Sequence, residues 1–293
     1  MREGAAHEGS VRRGPVPLEA LEALLEALRE AGGWTPLIDG LLDRPLAARV
    51  ARRFKLDVSF ALGADGARFS LNDKDEAVPF RERLRSCVGG PALESFLALS
   101  PPGLVQTTVG LKARDGEIQR ISLYYEELPL DAAGEALRQS ALRLAGVSAP
   151  SALPPVAVCL DLDPRGLLVG AKDYGLVEGD EGPFPEERAR FPAHPVTGNR
   201  RFLYARRFAP GGALEGSKLM WMSETHRPSD VARAWAEVDR LRAGLPADRA
   251  SRALDKLRQS WSFSDAFLHP DLLSTDRDAD GRVRAVLAYV SVR

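Results

Sequence analysis

The chain has few cysteines, almost no net charge and no long apolar run. Cys87 and Cys159 are the only cysteines among 293 residues, and we assign them to different elements. Neither a disulfide framework nor a cysteine zinc site is therefore expected. The 40 basic residues nearly balance the 41 acidic ones, which excludes a globally basic nucleic-acid binder. Hydrophobic residues make up 44% of the chain, too many for a disordered protein.

The sequence shows neither the pattern of a membrane helix nor that of a signal peptide. No segment approaches the ~18 uninterrupted apolar residues of a membrane helix, and residues 1–16 lack the apolar core of a signal peptide. We expect a cytoplasmic protein with no membrane and no nucleic-acid partner. Residues 1–16 show no periodicity and are expected to be a flexible tail, followed by a single domain over residues 17–293.

Helical and strand periodicities alternate along this domain. Apolar residues at helical spacing predict helices over residues 17–31, 43–54, 130–145 and 229–257. A period of two on either side of a Gly-bearing turn predicts a β-hairpin of residues 55–62 and 67–71. The same signature returns in four further segment pairs, namely 104–112 with 118–126, 156–162 with 167–176, 201–208 with 217–223, and 267–274 with 282–292.

These hairpins and helices form a repeating unit of about 45 to 60 residues. Five hairpins can pair edge to edge into a closed barrel, which leaves no exposed strand edge. The apolar face of each hairpin then packs against helices. The sequence predicts an α+β protein: a ten-stranded antiparallel β-barrel of five α-β-β-α repeats, with helices outside and a solvent-accessible lumen. Eight strands can be filled by their own side chains, but ten leave room for a ligand.

Alternation sorts each strand into a helix-facing and a lumen-facing row. In the first hairpin Val58 and Phe60 form part of the apolar row. This leaves Lys55, Asp57, Ser59 and Ala61 for the lumen. The other residues that we assign to the lumen are Arg120, Ser122, Tyr124, Glu126, Lys172, Tyr174, Tyr204, Arg206, Lys218, Met220, Met222, Tyr289, Ser291 and Arg293. Clustered cations with Tyr hydroxyls suit a diphosphate, and aromatic rings suit a cationic or prenyl group.

The chain resembles the ABBA-fold, or PT-barrel, aromatic prenyltransferases at four short segments. Leu-Asp-Val-Ser-Phe-Ala at residues 56–61 is similar to the family strand with an inward Asp and Ser. Arg-Ile-Ser-Leu-Tyr-Tyr-Glu-Glu-Leu at residues 120–128 resembles the strand that ends in an LYF-type motif, and Ala-Gly-Val-Ser-Ala-Pro at residues 145–150 resembles the end of the family helix after that strand. Ala-Tyr-Val-Ser-Val-Arg at residues 288–293 is similar to the closing strand.

This resemblance implies roles for individual residues. Asp57 corresponds to the acid that helps to hold a Mg²⁺ diphosphate in magnesium-dependent members, and Ser59 to a neighbouring phosphate donor. Phosphate-binding cations are implied at Arg120, Lys172, Arg206 and Lys218, and a tyrosine shield around an allylic cation at Tyr124, Tyr174, Tyr204 and Tyr289. Ser122 stands where many members carry Lys or Asn, and no general base is assigned.

The activity that the resemblance implies is transfer of an allylic prenyl group from a prenyl diphosphate to an electron-rich aromatic acceptor inside the barrel. The acceptor is a small aromatic molecule or an aromatic side chain of a peptide, and Mg²⁺ is not required by the sequence. The alternative is a non-catalytic barrel that binds a small anionic or hydrophobic ligand. Convergence of Asp57, Arg120, Lys172 and Lys218 favours the enzyme, whereas scattered or salt-bridged cations favour the alternative.

One further segment matches a calcium-binding motif only in part. Residues 276–281 match the start of an EF-hand calcium loop, but Leu287 stands at the twelfth position, where a bidentate Glu is needed. The residues after the motif alternate like a strand. We therefore expect a polar hairpin turn at this place.

Overall fold

All the strands belong to one closed antiparallel barrel. The computed structural model describes residues 18–39, 41, 54–63, 66–73, 81–82, 84–86, 88–99, 106–178, 182–189, 191, 200–222, 228–260 and 269–292. The strands are β1 Phe54–Leu62, β2 Gly66–Asp73, β3 Gln106–Arg114, β4 Glu117–Glu126, β5 Pro155–Leu162, β6 Leu168–Glu178, β7 Arg201–Phe208, β8 Leu214–Met222, β9 His269–Asp278 and β10 Val283–Val292. Each pairs with its neighbours in sequence, and β1 pairs with β10, which closes the ring. The predicted ten-stranded barrel is confirmed.

Helices cover the outside of the barrel. They are α1 Leu18–Glu30, α2 Pro91–Ala98, α3 Ala132–Leu144, α4 Pro185–Ala189, α5 Pro228–Arg242 and α6 Arg249–Ser260. The helix α3 packs on β5 and β6, α5 on β9 and β10, and α6 on β1, β2 and α1. In the described part of the chain, no helix has the length and apolarity needed to span a membrane.

Helix positions depart from the sequence prediction in two places. The predicted helix over residues 229–257 is wrong as one element, because a break at residues 243–248 separates α5 from α6. Pro246 explains the break, since proline cannot donate the backbone hydrogen bond of a helix interior. The predicted helix over residues 43–54 and the predicted tail over residues 1–16 lie outside the described residues, except that Phe54 begins β1.

The turns within the five hairpins all lie at one end of the barrel, which we call the turn end. Adjacent antiparallel strands require this, because each helix-bearing connection then lies at the other end. Between β3 and β4, Asp115 and Gly116 have φ values of 54° and 79°. Two consecutive left-handed residues form the tight hairpin turn that matches strand twist. In the turn after β9, the Asp278 carboxylate accepts a hydrogen bond from the Arg282 backbone N–H, as expected of a polar hairpin turn.

The core lies between the barrel wall and the helices. Val58, Phe60 and Leu62 of β1 are fully buried in it, together with apolar residues of every other strand. In β4 the two adjacent tyrosines separate: Tyr125 stacks on Phe96 of α2 with ring centroids 4.0 Å apart, and its hydroxyl donates to the Phe96 carbonyl oxygen. Tyr124 therefore faces the lumen, as the alternation predicted.

A buried ion pair fastens α3 to the barrel. The Arg138 guanidinium donates two hydrogen bonds to Asp173 of β6, at 2.6 and 3.0 Å, and both side chains are almost completely buried. The same carboxylate accepts from the Ser151 backbone N–H at 2.7 Å. Breaking one side of such a pair leaves a buried charge uncompensated.

We predict that Arg138→Met lowers the free energy of unfolding by about 3 to 5 kcal/mol. Arg143→Met is the matched control, because Arg143 lies on the same helix but is exposed and donates to Ser140. The control should change stability by less than about 0.5 kcal/mol. Denaturant unfolding of both variants measures the difference, and equal losses would contradict the structural role given to Arg138.

Candidate active site in the barrel lumen

Strand register identifies the side chains that face the lumen. Residues directly opposite each other in an antiparallel pair share one face of the sheet. Ser59 of β1 lies opposite Arg68 of β2 and Tyr289 of β10, while the flanking Val58 and Phe60 pack against the helices. Ser59, Arg68 and Tyr289 therefore face the lumen, and pairing around the barrel extends this assignment to every strand.

Two lysines are buried in the wall of the lumen. Lys172 of β6 lies opposite Cys159 of β5, and Lys218 of β8 lies opposite Ala205 of β7. Each lysine is 1% exposed. A buried ammonium costs several kcal/mol, on the order of the free energy that stabilises a domain, unless a counter-charge meets it.

A row of cations runs across three neighbouring strands. Arg68 of β2 lies opposite Lys112 of β3, and Lys112 lies opposite Arg120 of β4. Like charges directly opposite each other destabilise a sheet. Because barrel strands tilt against the axis, a row of paired residues spirals from the interior toward one end. Arg68 is buried while Lys112 is exposed, so this row climbs to the turn end.

One carboxylate neutralises part of this charge. Asp161 Oδ1 accepts hydrogen bonds from Lys172 Nζ at 2.6 Å and from Ser122 Oγ at 2.5 Å, and Oδ2 accepts from Arg120 Nη1 at 3.1 Å. Burial alone would raise the pKa of Asp161, but Lys172 and Arg120 outweigh it and hold this pKa below its ordinary value. Asp161 is ionised at neutral pH.

Two other buried side chains of the described lumen, Lys218 and Arg68, have no such partner. Within the described chain, neither Lys218 Nζ nor Arg68 Nε has a hydrogen-bond acceptor. Burial and the nearby Arg68 guanidinium lower the pKa of Lys218 well below its ordinary value. Asp276, which lies opposite Lys218, is hydrogen-bonded to Arg207. The lumen is therefore prepared for an anion that it does not itself supply.

Tyrosines and small apolar residues line the rest of the lumen. The rings of Tyr124 and Tyr174 are 6.1 Å apart, and Lys172 Nζ lies 5.7 Å from the Tyr124 centroid. Burial raises the pKa of both tyrosines, so their hydroxyls remain hydrogen-bond donors at neutral pH. The same cluster contains Ala61, Ala157, Cys159, Leu203, Ala205, Met220, Leu287 and Tyr289.

The predicted placement of Tyr204 and Arg206 in the lumen is wrong. Arg206 lies opposite Asp173, which binds Arg138 of α3, and it donates to Asp173 at 3.1 Å on the outer face. Tyr204 packs against Phe184 with ring centroids 6.1 Å apart, also outside. The neighbour Arg207 faces the lumen opposite Lys172.

Arg207 reaches across the next strand because that strand carries a glycine. Its guanidinium donates to Asp276 Oδ2 at 3.0 Å and to the Arg277 carbonyl oxygen at 2.8 Å. A Cβ atom on Gly216 would lie 2.6 Å from Arg207 Nη2 and would clash with it. Arg207, in place of Arg206, thereby adds a cation to the lumen at the turn end.

The other sequence-predicted residues divide into three groups. Ser122 is buried as a donor to Asp161, and the Ser59 hydroxyl is buried with no hydrogen-bond partner in the described chain. Asp57 occupies a lumen-facing register position opposite Ser70, and its side chain lies outside the described residues. Met222 and Ser291 occupy lumen-facing register positions, but their side chains, like Arg293, lie outside the described residues.

Sequence reasoning missed Arg68, Lys112 and Asp161. The signal for the first two was present, because Phe69 and Val109 mark the apolar rows and alternation leaves Arg68 and Lys112 on the other face. Asp161 has a weaker signal, since it lies near a turn, where aspartate is common. Of the four residues expected to converge, Arg120 and Lys172 are salt-bridged to Asp161, as the alternative expects. Lys218 is close enough to the Arg68 guanidinium for its pKa to be lowered by it. The Asp57 side chain lies outside the described residues, so the convergence of all four stays a prediction.

The lysines predict a pH-dependent affinity for anions. Although Lys112 reaches the surface, partial desolvation of its ammonium and the facing Arg68 and Arg120 lower the pKa of Lys112 from 10.5 to about 8. Above that pH the free protein loses this charge, so binding of inorganic diphosphate weakens as the pH rises through about 8. Lys112→Met removes this component. Titration calorimetry should find the ratio of wild-type to variant affinity largest below pH 8 and close to one at the ordinary lysine pKa of 10.5. A constant ratio would contradict the prediction.

Comparison with known proteins identifies the fold. Neither a family model nor a curated protein matches the chain. The solved 5-dimethylallyl tryptophan synthase from Streptomyces coelicolor, in complex with DMASPP and Trp, is 17% identical with a TM-score of 0.65, over 94% of both chains. The 6-dimethylallyltryptophan synthase from Micromonospora olivasterospora, also in complex with DMASPP and Trp, is 15% identical with a TM-score of 0.64, over 93% of this chain and 96% of that one. PriB in complex with product diphosphate is 17% identical with a TM-score of 0.62, over 94% and 95% of the two chains. The chain has the PT-barrel fold of these aromatic prenyltransferases.

Proposed function

We propose that this protein is an aromatic prenyltransferase that moves an allylic prenyl group from a prenyl diphosphate to an electron-rich aromatic acceptor in the lumen. The observation that carries the proposal is the arrangement of buried Arg68, Lys172 and Lys218 around the same lumen as Tyr124, Tyr174 and Tyr289. The first group suits a diphosphate, and the second suits the carbon chain attached to it.

The cations bind the diphosphate and stabilise it as a leaving group. Lys218 and Arg68 carry buried N–H groups without acceptors in the described chain, and phosphate oxygens satisfy such groups with charge-assisted hydrogen bonds. Negative charge on the bridging oxygen grows as the C–O bond breaks. Cations fixed in a closed site stabilise that growing charge without reorganising.

The tyrosine rings stabilise the carbon fragment. When the C–O bond breaks, its electron pair leaves with the diphosphate and an allylic cation remains. The faces of Tyr124, Tyr174 and Tyr289 attract a cation, and the apolar cluster around them keeps water away from it. A carbon of the acceptor ring then forms the new C–C bond, and the ring loses a proton to restore its aromaticity.

Glu126 is the proton acceptor in this proposal. It lies on the lumen face of β4 beyond Tyr124, toward the end opposite the turns, and its Oε2 accepts from Thr108 Oγ1 at 2.9 Å. Other described carboxylates at lumen-facing positions are already paired with cations: Asp161 with Lys172, Asp276 with Arg207, and Glu178 with Arg201. Glu126 therefore has the free acceptor capacity that an N–H or C–H proton of the acceptor needs.

Two of the solved neighbours are complexes with DMASPP and Trp. An indole or a related small aromatic ring is the acceptor class that we propose, with an aromatic side chain of a peptide as the variant. Magnesium bound through Asp57 stays a prediction. The described residues contain no group of three or more potential metal-ligating side chains, and the cations named above already supply charge neutralisation.

A second candidate function is a non-catalytic barrel that binds a small anion. The observation that favours it is Asp161, which neutralises Lys172 and Arg120 in the ligand-free protein. Such a protein binds a prenyl diphosphate but never turns it over. Activity with an aromatic acceptor separates the two functions.

We predict that Lys218→Met weakens binding of dimethylallyl thiolodiphosphate by about 10- to 100-fold, because each hydrogen bond to a charged group contributes about 1.5 to 3 kcal/mol. Isothermal titration with and without Mg²⁺ measures this and tests the magnesium prediction. Arg143→Gln, on the exposed face of α3, should bind as wild type. No binding to the wild type would exclude the diphosphate site.

We predict that Glu126→Gln lowers kcat by about 10²- to 10⁴-fold, the usual contribution of a general base. Affinity for the thiolodiphosphate should be unchanged, since Glu126 lies away from the cations. Product formation from dimethylallyl diphosphate and tryptophan or indole, followed by chromatography, gives kcat. The adjacent, exposed Glu127→Gln is the control. Equal kcat values for the Glu126 variant and wild type would remove Glu126 from the mechanism.

A further inference from the structure

Asp161 lies where the buried cations meet the turn end. Its carboxylate connects Lys172, which is 1% exposed, to Arg120, whose side chain is 33% exposed. No described acid takes the same place for Lys218 or Arg68. Lys172 and Arg120 therefore share an internal counter-anion, as Arg207 does with Asp276, whereas Lys218 and Arg68 have no described carboxylate hydrogen-bonded to them.

The contacts of Asp161 are those that a phosphate group makes in such a site. Lys172, Arg120 and the Ser122 hydroxyl all donate to it, and the Cys159 thiol lies 3.5 Å from Oδ1. Burial raises the pKa of Cys159 to about 12, so this sulfur stays protonated and adds a weak donor rather than a second anion. Two cations and two neutral donors thus surround one anionic group.

We infer that Asp161 is a built-in counter-anion, which competes with the diphosphate for Lys172 and Arg120 and so limits how tightly the lumen holds that ligand. The inference rests on the proposed function and names a residue that sets ligand release at the same site. Lys218 and Arg68 attract the diphosphate. Asp161 neutralises Lys172 and Arg120 again when the diphosphate leaves.

This competition has a physical benefit for turnover. Buried cations without any counter-anion would retain inorganic diphosphate after the prenyl group has been transferred, and product release limits kcat in many enzymes. A fixed carboxylate beside Lys172 repels the bound diphosphate and offers Lys172 an alternative partner. Two unit charges about 5 Å apart at an effective dielectric of about 20 interact strongly enough to change affinity by more than tenfold.

A purely positioning role for Asp161 predicts the opposite change in diphosphate affinity. If Asp161 only orients Lys172 and keeps it charged, removing the carboxylate disorders the cradle and weakens diphosphate binding. The sign of the change in affinity therefore separates competition from positioning.

The experiment compares inorganic diphosphate binding and release in wild type and Asp161→Asn. The variant keeps the shape of the side chain and removes its charge. We expect Kd to fall by about tenfold or more and the dissociation rate to slow correspondingly, measured by calorimetry and stopped-flow competition. Glu178→Gln is the control, because Glu178 pairs with Arg201 at the end of β6 away from the turns and is largely exposed to solvent. It should tighten binding by less than about threefold, since water and salt screen an exposed charge.

Equal or weaker binding by Asp161→Asn overturns the inference, and so does equal tightening in Glu178→Gln, which would show a general effect of net charge. If Asp161→Asn does not fold, the comparison moves to Arg120→Gln against Arg120→Gln/Asp161→Asn, because the double variant leaves fewer uncompensated cations. The double variant should bind more tightly than Arg120→Gln alone, and the reverse order overturns the inference. Failure of wild type to bind any diphosphate refutes the proposed function itself.

Discussion

The structure depends on the cost of keeping positive charge inside a closed barrel. Arg68, Lys172 and Lys218 are held in the wall of the lumen by backbone hydrogen bonds around the whole ring, so they cannot move out to water without opening the sheet. Asp161 offsets part of this charge and leaves the rest for a ligand. Burying these cations costs free energy of desolvation, and a bound anion offsets that cost. Stability of the empty barrel and affinity for a diphosphate are therefore linked properties of one arrangement.

The two faces of each strand have different roles. The outer face carries the apolar residues and the buried pair Arg138 and Asp173, which join the helices to the barrel. The inner face is free to be polar because helices already bury the outer face. This division explains how one chain can hold two lysines at 1% exposure and remain folded. It also explains why a change at the lumen can alter binding while the helix layer stays intact.

The architecture follows from periodicity alone, because a period of two with glycine-bearing turns recurs at each hairpin. The site was only partly predictable. Alternation assigns residues to the correct face of a strand only when a buried apolar residue marks the outer face. In β7, alternation from the buried Phe202 places Tyr204 and Arg206 on the outer face and Arg207 in the lumen. The side-chain chemistry of Tyr204 and Arg206 had instead favoured the lumen for these two residues. Asp161 escaped prediction for another reason: its role depends on Lys172 and Arg120, which pairing of three strands brings to it.

A crystal structure of the protein with dimethylallyl thiolodiphosphate tests the central claim most directly. The account predicts phosphate oxygens within hydrogen-bond distance of Lys218 Nζ and the Arg68 guanidinium, with the carbon chain against Tyr124 and Tyr174. A ligand bound outside the lumen, or one that contacts neither Lys218 nor Arg68, would contradict it.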